Sequence, residues 1–390
     1  MKIGIDRISF YTPQYFLDLK TLAGTRGVDP DKYYVGIGQE KMAIPPPDED
    51  IVTMAASAAK PILDAVGPDR IELLLFATES GIDQSKSAAM FLHGLLKLPR
   101  RCRAVELKQA CYSATAGLHM AAAMVAAQPG MQALVVGSDI ARYDLRSPGE
   151  PTQGAGAVAM LVSAKPRVLV LEPETGLCAM DVMDFWRPNY RAEALVDGKY
   201  SMRVYLEAME ECWTQYAQRT GRTLKDFSRF CYHLPFTRMA EKAHVRLARL
   251  AGEAELAPAR LEEHIGYSLR YNRITGNTYA ASLYEGLCSL LDECPEDLGG
   301  RRVGLFSYGS GCMGEFFGAL AQPDYRQHLF SARHRGLLDG RTELTYQQYE
   351  DIFQLDFPTD GADHRFAQYR TGPFRLAGVS QHKRLYESVS

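Results

Sequence analysis

Short apolar runs of strand length, separated by stretches with helical spacing, constrain this chain more than any other feature. Residues 71–78 (IELLLFAT), 132–138 (QALVVGS), 155–163 (AGAVAMLVS), 167–171 and 301–307 (RRVGLFS) are such runs, and residues 2–10, 103–107 and 229–233 are strand-like. Residues 51–65, 84–97, 114–127, 200–219, 239–251 and 278–291 carry the helical period. A strand that is apolar at successive positions is covered on both faces, and strands alternating with helices of ten or more residues form layered sheets. The expectation is an α/β fold with buried sheets. The texture repeats, so the chain divides near Lys165-Pro166 into residues 1–165 and 166–390. The tail from about Asp324 is polar and is expected to pack on the outside.

Composition narrows the partners. The 390 residues hold 44 Lys+Arg against 47 Asp+Glu, a net charge of −3. That balance supplies no field for nucleic acid or an anionic membrane. Asp6 and Arg7 interrupt any apolar leader, and residues 114–127 are too short to span a bilayer, so a cytoplasmic protein is expected. Eight cysteines without a CxxC pair point to reduced thiols, with neither a disulfide framework nor a structural zinc site.

Six constellations can carry chemistry. In KQACYSATAG (residues 108–117), Cys111 sits where a strand hands over to a helix of small residues. A helix N-terminus favours a thiolate, so Cys111 reads either as a nucleophile for carbonyl acylation or as a small core residue. Glu79 follows the run at 71–78, where a desolvated carboxylate serves as a general base and a solvated one is a loop residue. His233, in CYHLPF, also ends a short strand, and either hydrogen-bonds a substrate carbonyl or is satisfied by backbone. FSYGSGCMG (residues 306–314) contains a literal GxGxxG. Its late position and the missing acidic partner disfavour a dinucleotide site and favour a turn that offers N–H groups to an oxyanion. Asn277 is open to two readings, helix cap or amide donor to a carbonyl. Arg238 and Lys242, at i and i+4, share a helix face that is either solvated or holds a phosphate-bearing ligand.

Taken in order, the blocks ATES (77–80), KQACYSAT (108–115), GEPTQGAGAVAM (149–160), DFWRP (184–188), VDGKYS (196–201), HLPF (233–236), GNTYAASLY (276–284) and GLFSYGSG (304–311) resemble the 3-hydroxy-3-methylglutaryl-CoA (HMG-CoA) synthases of the thiolase superfamily. The resemblance implies a thiolase-like five-layer αβαβα fold of two similar halves and a homodimer. It implies an acyltransferase that condenses acetyl-CoA with acetoacetyl-CoA in the mevalonate pathway, with no metal or organic cofactor. Cys111 then carries the acetyl group, Glu79 removes a methyl proton, and His233 polarises the acceptor ketone. Tyr143, Thr152, Phe185, Ser201 and Asn277 map to the substrate pocket, and Arg238 and Lys242 to a lysine pair that meets CoA. The N–H groups of Cys111 and Ser307, both placed at turns after strands, would hold the enolate oxygen. Position 238 is arginine where the family has lysine, and residues 189–194 depart from the bacterial pattern. The alternative is a β-branching relative from polyketide clusters, with the same addition on substrates held by acyl carrier proteins.

Overall fold

In a computed structural model, which describes residues 1–253 and 256–389, the apolar runs become strands of one nine-stranded sheet. In chain order the strands are β1 (Gly4–Tyr11), β2 (Ile71–Ala77), β3 (Arg103–Leu107), β4 (Gln132–Ala141), β5 (Gly154–Ser163), β6 (Leu169–Ala179), β7 (Arg229–Tyr232), β8 (Arg302–Gly309) and β9 (Met313–Ala321). Across the sheet they run β7-β8-β9-β6-β1-β5-β4-β2-β3. The seam between β1 and β6 is only Gly4↔Val170 and Ile5↔Leu169, so the sheet divides there into two wings.

The wings repeat one topology. In the first, β2 and β4 are parallel while β4–β5 and β5–β1 are antiparallel. In the second, β7 and β8 are parallel while β8–β9 and β9–β6 are antiparallel. The ends of β2 and β7 are therefore equivalent places, and they carry Glu79 and His233.

Helices fill the layers between and outside the wings. These are α1 (Ile51–Val66), α2 (Ala88–Leu95), α3 (Ser113–Ala127), α4 (Gly198–Thr220), α5 (Thr237–Leu250), α6 (Tyr267–Thr275) and α7 (Ser282–Glu293). Leu74, Phe76, Leu134 and Val136 pack outward on α1 and α2, and Phe230, Phe306 and Phe316 pack outward on α4 and α5. Leu73, Leu75, Val135, Val303 and Leu305 turn inward onto α3 and α7. The result is five layers, α1/α2, wing, α3/α7, wing, α4/α5, as the resemblance implied. Strands covered on both faces explain the unbroken apolar runs.

Small residues let α3 lie deep. A Cβ on Gly117 would stand 3.1 Å from Val135 Cγ1 and 3.3 Å from Leu107 Cδ1. Ala110–Ala127 is long and apolar enough to cross a membrane, contrary to the sequence expectation. Here Ala114, Leu118, Ala121 and Val125 bury one face of it between the wings.

Other expectations need correction. The helix placed at 84–97 is only Ala88–Leu95, because Asp83 Oδ1 accepts from Ser85 N and Lys86 N in a turn and Ser87 caps the helix. Strand β9 has no counterpart in the sequence reading. The tail does lie outside, yet it is anchored: Arg375 pairs with fully buried Asp48 at 3.0 Å, and Leu376 N donates to Asp48 O. All eight cysteines are free thiols.

Candidate active site

The loop after β2 is held by one buried carboxylate. Asp139 Oδ1 accepts from Thr78 Oγ1 (2.7 Å), Glu79 N (2.9 Å) and Ser80 N (3.0 Å), and its Oδ2 accepts from Ala280 N at 3.0 Å. Arg187 donates to the Glu79 carbonyl. With its backbone fixed, Glu79 turns its side chain to the mouth of α3. There Cys111 Sγ donates to Glu79 Oε1 at 3.0 Å. Ala110, at φ +43, takes the left-handed conformation in the strand-to-helix turn just before Cys111.

Electrostatics invert one sequence expectation. The free N–H groups at the start of α3 were expected to favour a thiolate. Burial and the adjacent Glu79 carboxylate instead push the Cys111 thiol well up. Burial, followed by Asp139, pushes the Glu79 carboxyl up as well, against the opposing pull of Cys111 and Arg187. The resting pair is thus a protonated thiol beside a carboxyl raised toward neutrality.

His233 is the first residue past β7. Its N–H donates to Phe306 O at 2.8 Å and its carbonyl accepts from Tyr205 Oη at 2.8 Å. Burial drives the imidazole down to about 3, so the ring is neutral at pH 7, with one nitrogen a donor and the other an acceptor. Its Nδ1 is buried without a protein partner.

Cys111 and His233 line one cavity of about 410 Å³. Tyr143, Thr152, Phe185, Ser201 and Asn277 line it too. Glu79 stands behind the thiol and is not on the lining. Three expected residues lie elsewhere. Arg238 donates to Val35 O and pairs with Glu241. Lys242 is exposed at the rim, 5.7 Å from the centroid of Phe236, which does line the cavity. Ser307 lies inside β8 rather than at a turn. It is buried, and its Oγ accepts from Thr115 Oγ1 at 2.8 Å. Tyr308 and Ser310 are the lining residues of that segment. Asn277 Oδ1 accepts from Tyr279 N at 2.9 Å, and the residue lines the cavity.

The sequence reading missed Asp139 and Asp184. Asp184 accepts from Tyr308 Oη (2.8 Å), Ser201 Oγ (3.0 Å) and Gly311 N (2.8 Å), and so ties three walls of the cavity together. The available signal was an acid at each end of an apolar stretch, GSD and MDF, where a carboxylate survives only with several donors.

A cysteine at a central helix mouth, between two repeated wings and paired with a carboxylate, defines a condensing enzyme of the thiolase superfamily. The hydroxymethylglutaryl-coenzyme A synthase family models match residues 1–166 (N terminal) and 169–251 with 248–359 (C terminal), and the chain belongs to that family of acyl-transferring enzymes. It is 44% identical over 360 residues to the hydroxymethylglutaryl-CoA synthase of Enterococcus faecalis, covering 92% of this chain and 94% of that one. It is 36% identical over 373 residues to the polyketide biosynthesis 3-hydroxy-3-methylglutaryl-ACP synthase PksG of Bacillus subtilis, covering 90% and 88%. The crystal structure of an HMG-CoA synthase complexed with CoA superposes with a TM-score of 0.95 at 40% identity over 100% of both chains.

Proposed function

We propose that Cys111, Glu79 and His233 together carry the condensation of acetyl-CoA with acetoacetyl-CoA. The observation that carries this is the 3.0 Å contact from Cys111 Sγ to Glu79 Oε1, at a cavity that His233 also lines. Glu79 takes the thiol proton as sulfur attacks the acetyl carbonyl, and CoA leaves with that proton. The free carboxylate next removes a proton from the methyl group of the acetyl thioester. A base whose pKa has risen toward neutral serves both transfers. The enolate carbon then bonds to the acceptor ketone. Neutral His233 hydrogen-bonds the ketone oxygen as it takes on negative charge, and that oxygen receives, net, the proton that Glu79 took from the methyl group, which frees the carboxylate again. Water cleaves the thioester, releasing HMG-CoA and restoring the thiol.

The lining residues fit an acyl group of this kind. Tyr143, Phe185 and Tyr279 form a chain of edge-to-face rings, with centroids 6.2 and 5.7 Å apart, against the short acyl chain. The Asn277 amide hydrogen-bonds the acceptor's carbonyl, and Lys242 at the rim lies where a phosphate-bearing carrier would pass. The working unit is a homodimer. Strand β3 is a sheet edge with Val105 41% exposed, and Met120 on neighbouring α3 is 51% exposed.

The test compares donors. Consumption of acetoacetyl-CoA is followed with acetyl-CoA or with acetyl-acyl carrier protein. Faster turnover with acetyl-CoA supports the reading; turnover with the carrier protein alone replaces it by the polyketide β-branching reaction.

A further inference from the structure

We infer that Glu285, on α7 outside the cavity, is a positioning residue that fixes the Asn277 amide by clamping both ends of residues 275–278. This rests on the reading that Asn277 touches the substrate. Glu285 is buried at 1% exposure. Its Oε1 accepts from Thr275 Oγ1 at 2.5 Å and its Oε2 accepts from Thr278 Oγ1 at 2.9 Å. One carboxylate thus holds the residues on either side of Gly276-Asn277.

The short segment between the clamps has no freedom of its own. Gly276 sits at φ +91, and a Cβ there would fall 1.9 Å from Gln153 O. Asn277 N donates to Thr152 O at 3.1 Å. Asn277 Oδ1 accepts from Tyr279 N, which settles the amide orientation and leaves Nδ2 as the free donor of a residue that lines the cavity. Buried Arg341 faces Glu285 from the tail and donates to Ile274 O at 2.9 Å, which closes the hub from behind.

The chemistry of the clamp explains a carboxylate at this place. Each carboxyl oxygen has its own threonine hydroxyl partner, and burial pushes the carboxyl up to about 7 against the pull of those two contacts, whereas an amide would set an N–H₂ against one of them; Thr275 Oγ1 also reaches Tyr271 O at 3.0 Å. A buried charge is a poor means of stabilising a fold, because its desolvation offsets its contacts. Its use here is geometric.

The experiment measures steady-state turnover, acetylation of Cys111 and thermal unfolding for four proteins: wild type, Glu285→Gln, Asn277→Ala and the double variant. Glu285→Gln is expected to lower kcat/KM for acetoacetyl-CoA about tenfold, the size of one misdirected hydrogen bond. Acetylation by acetyl-CoA should run at the wild-type rate. The unfolding midpoint should fall, since buried Arg341 loses its facing carboxylate, and the positioning role is read instead from a loss confined to the acceptor half-reaction, which a purely structural role would not confine. The double variant should be no worse than Asn277→Ala. Thr278→Val, which opens the clamp from the loop side, should reproduce the loss. Wild-type acceptor kinetics in Glu285→Gln beside an impaired Asn277→Ala would overturn the inference alone, as would losses that multiply in the double variant. Wild-type kinetics in Asn277→Ala would overturn the reading of Asn277 and the inference with it.

Discussion

Cys111 and Glu79 are hydrogen-bonded partners in the resting protein, sulfur to oxygen at 3.0 Å, although they come from different strands of the first wing. The contact has a consequence for thiol chemistry. The Glu79 carboxylate is one of the causes that push the Cys111 thiol up, so neutralising it lowers that pKa. Glu79→Gln should therefore react faster with iodoacetamide at pH 7–8 than wild type does. A slower reaction, or an unchanged one, would mean that burial alone sets the thiol.

His233 gives a pH prediction whose sign is fixed by burial. The folded ring holds its proton only near pH 3, while an unfolded histidine titrates near 6.5. Below about 6.5 the unfolded chain binds a proton that the folded chain refuses, so stability falls as pH falls. At pH 5 the penalty is about 2 kcal/mol. Unfolding of His233→Gln should lack this share, and its midpoint relative to wild type should rise from pH 7 to pH 5. A constant difference would place a solvated or paired imidazole at this position. Turnover should also show no limb from His233 near pH 6.5.

Asp139 receives four donors around the Glu79 loop. Asp139→Asn keeps the shape but sets an amide N–H₂ against one of those donors. Denaturant unfolding should show a loss of about 1–3 kcal/mol, the cost of an unsatisfied buried group. It should also move the acid limb of turnover to lower pH, because a neighbouring negative charge no longer raises Glu79. An unmoved limb would assign that limb to another group.

The strands were legible because each rests on a local pattern, whereas Cys111, Glu79 and His233 each stood past such a run with two readings open and only the family resemblance joined them. An apolar run marks a strand covered on both faces, and a polar residue just past it marks a strand end facing the site. Strand β9 (MGEFFGALA) was not legible. Its glycines meet close neighbours, with Gly314 facing Cys212 and Gly318 facing Glu172, and they erase the apolar period. Asp139 and Asp184 were not legible because donors that justify a buried carboxylate come from distant segments. Ser307 was misplaced for a related reason: the strand runs on to Gly309, past the polar residues that look like its end.

The tail offers a stability test. Arg375 is the ionic partner of Asp48, a fully buried carboxylate, and also pairs with Glu387 at 2.7 Å. Arg375→Met strands a buried charge and should cost about 3–5 kcal/mol by urea unfolding. A loss below 1 kcal/mol would show that the C-terminal hairpin is an appendage rather than part of the α1 layer.

The division of labour between sulfur and carboxylate is tested most directly by intact mass after mixing with acetyl-CoA, followed by addition of acetoacetyl-CoA. Wild type should gain one acetyl group promptly, Glu79→Gln should gain it more slowly because its thiol has lost its proton acceptor, Cys111→Ala should gain none, and only wild type should go on to HMG-CoA. An acetyl adduct retained by Cys111→Ala, or product formed by Glu79→Gln at the wild-type rate, would contradict the account.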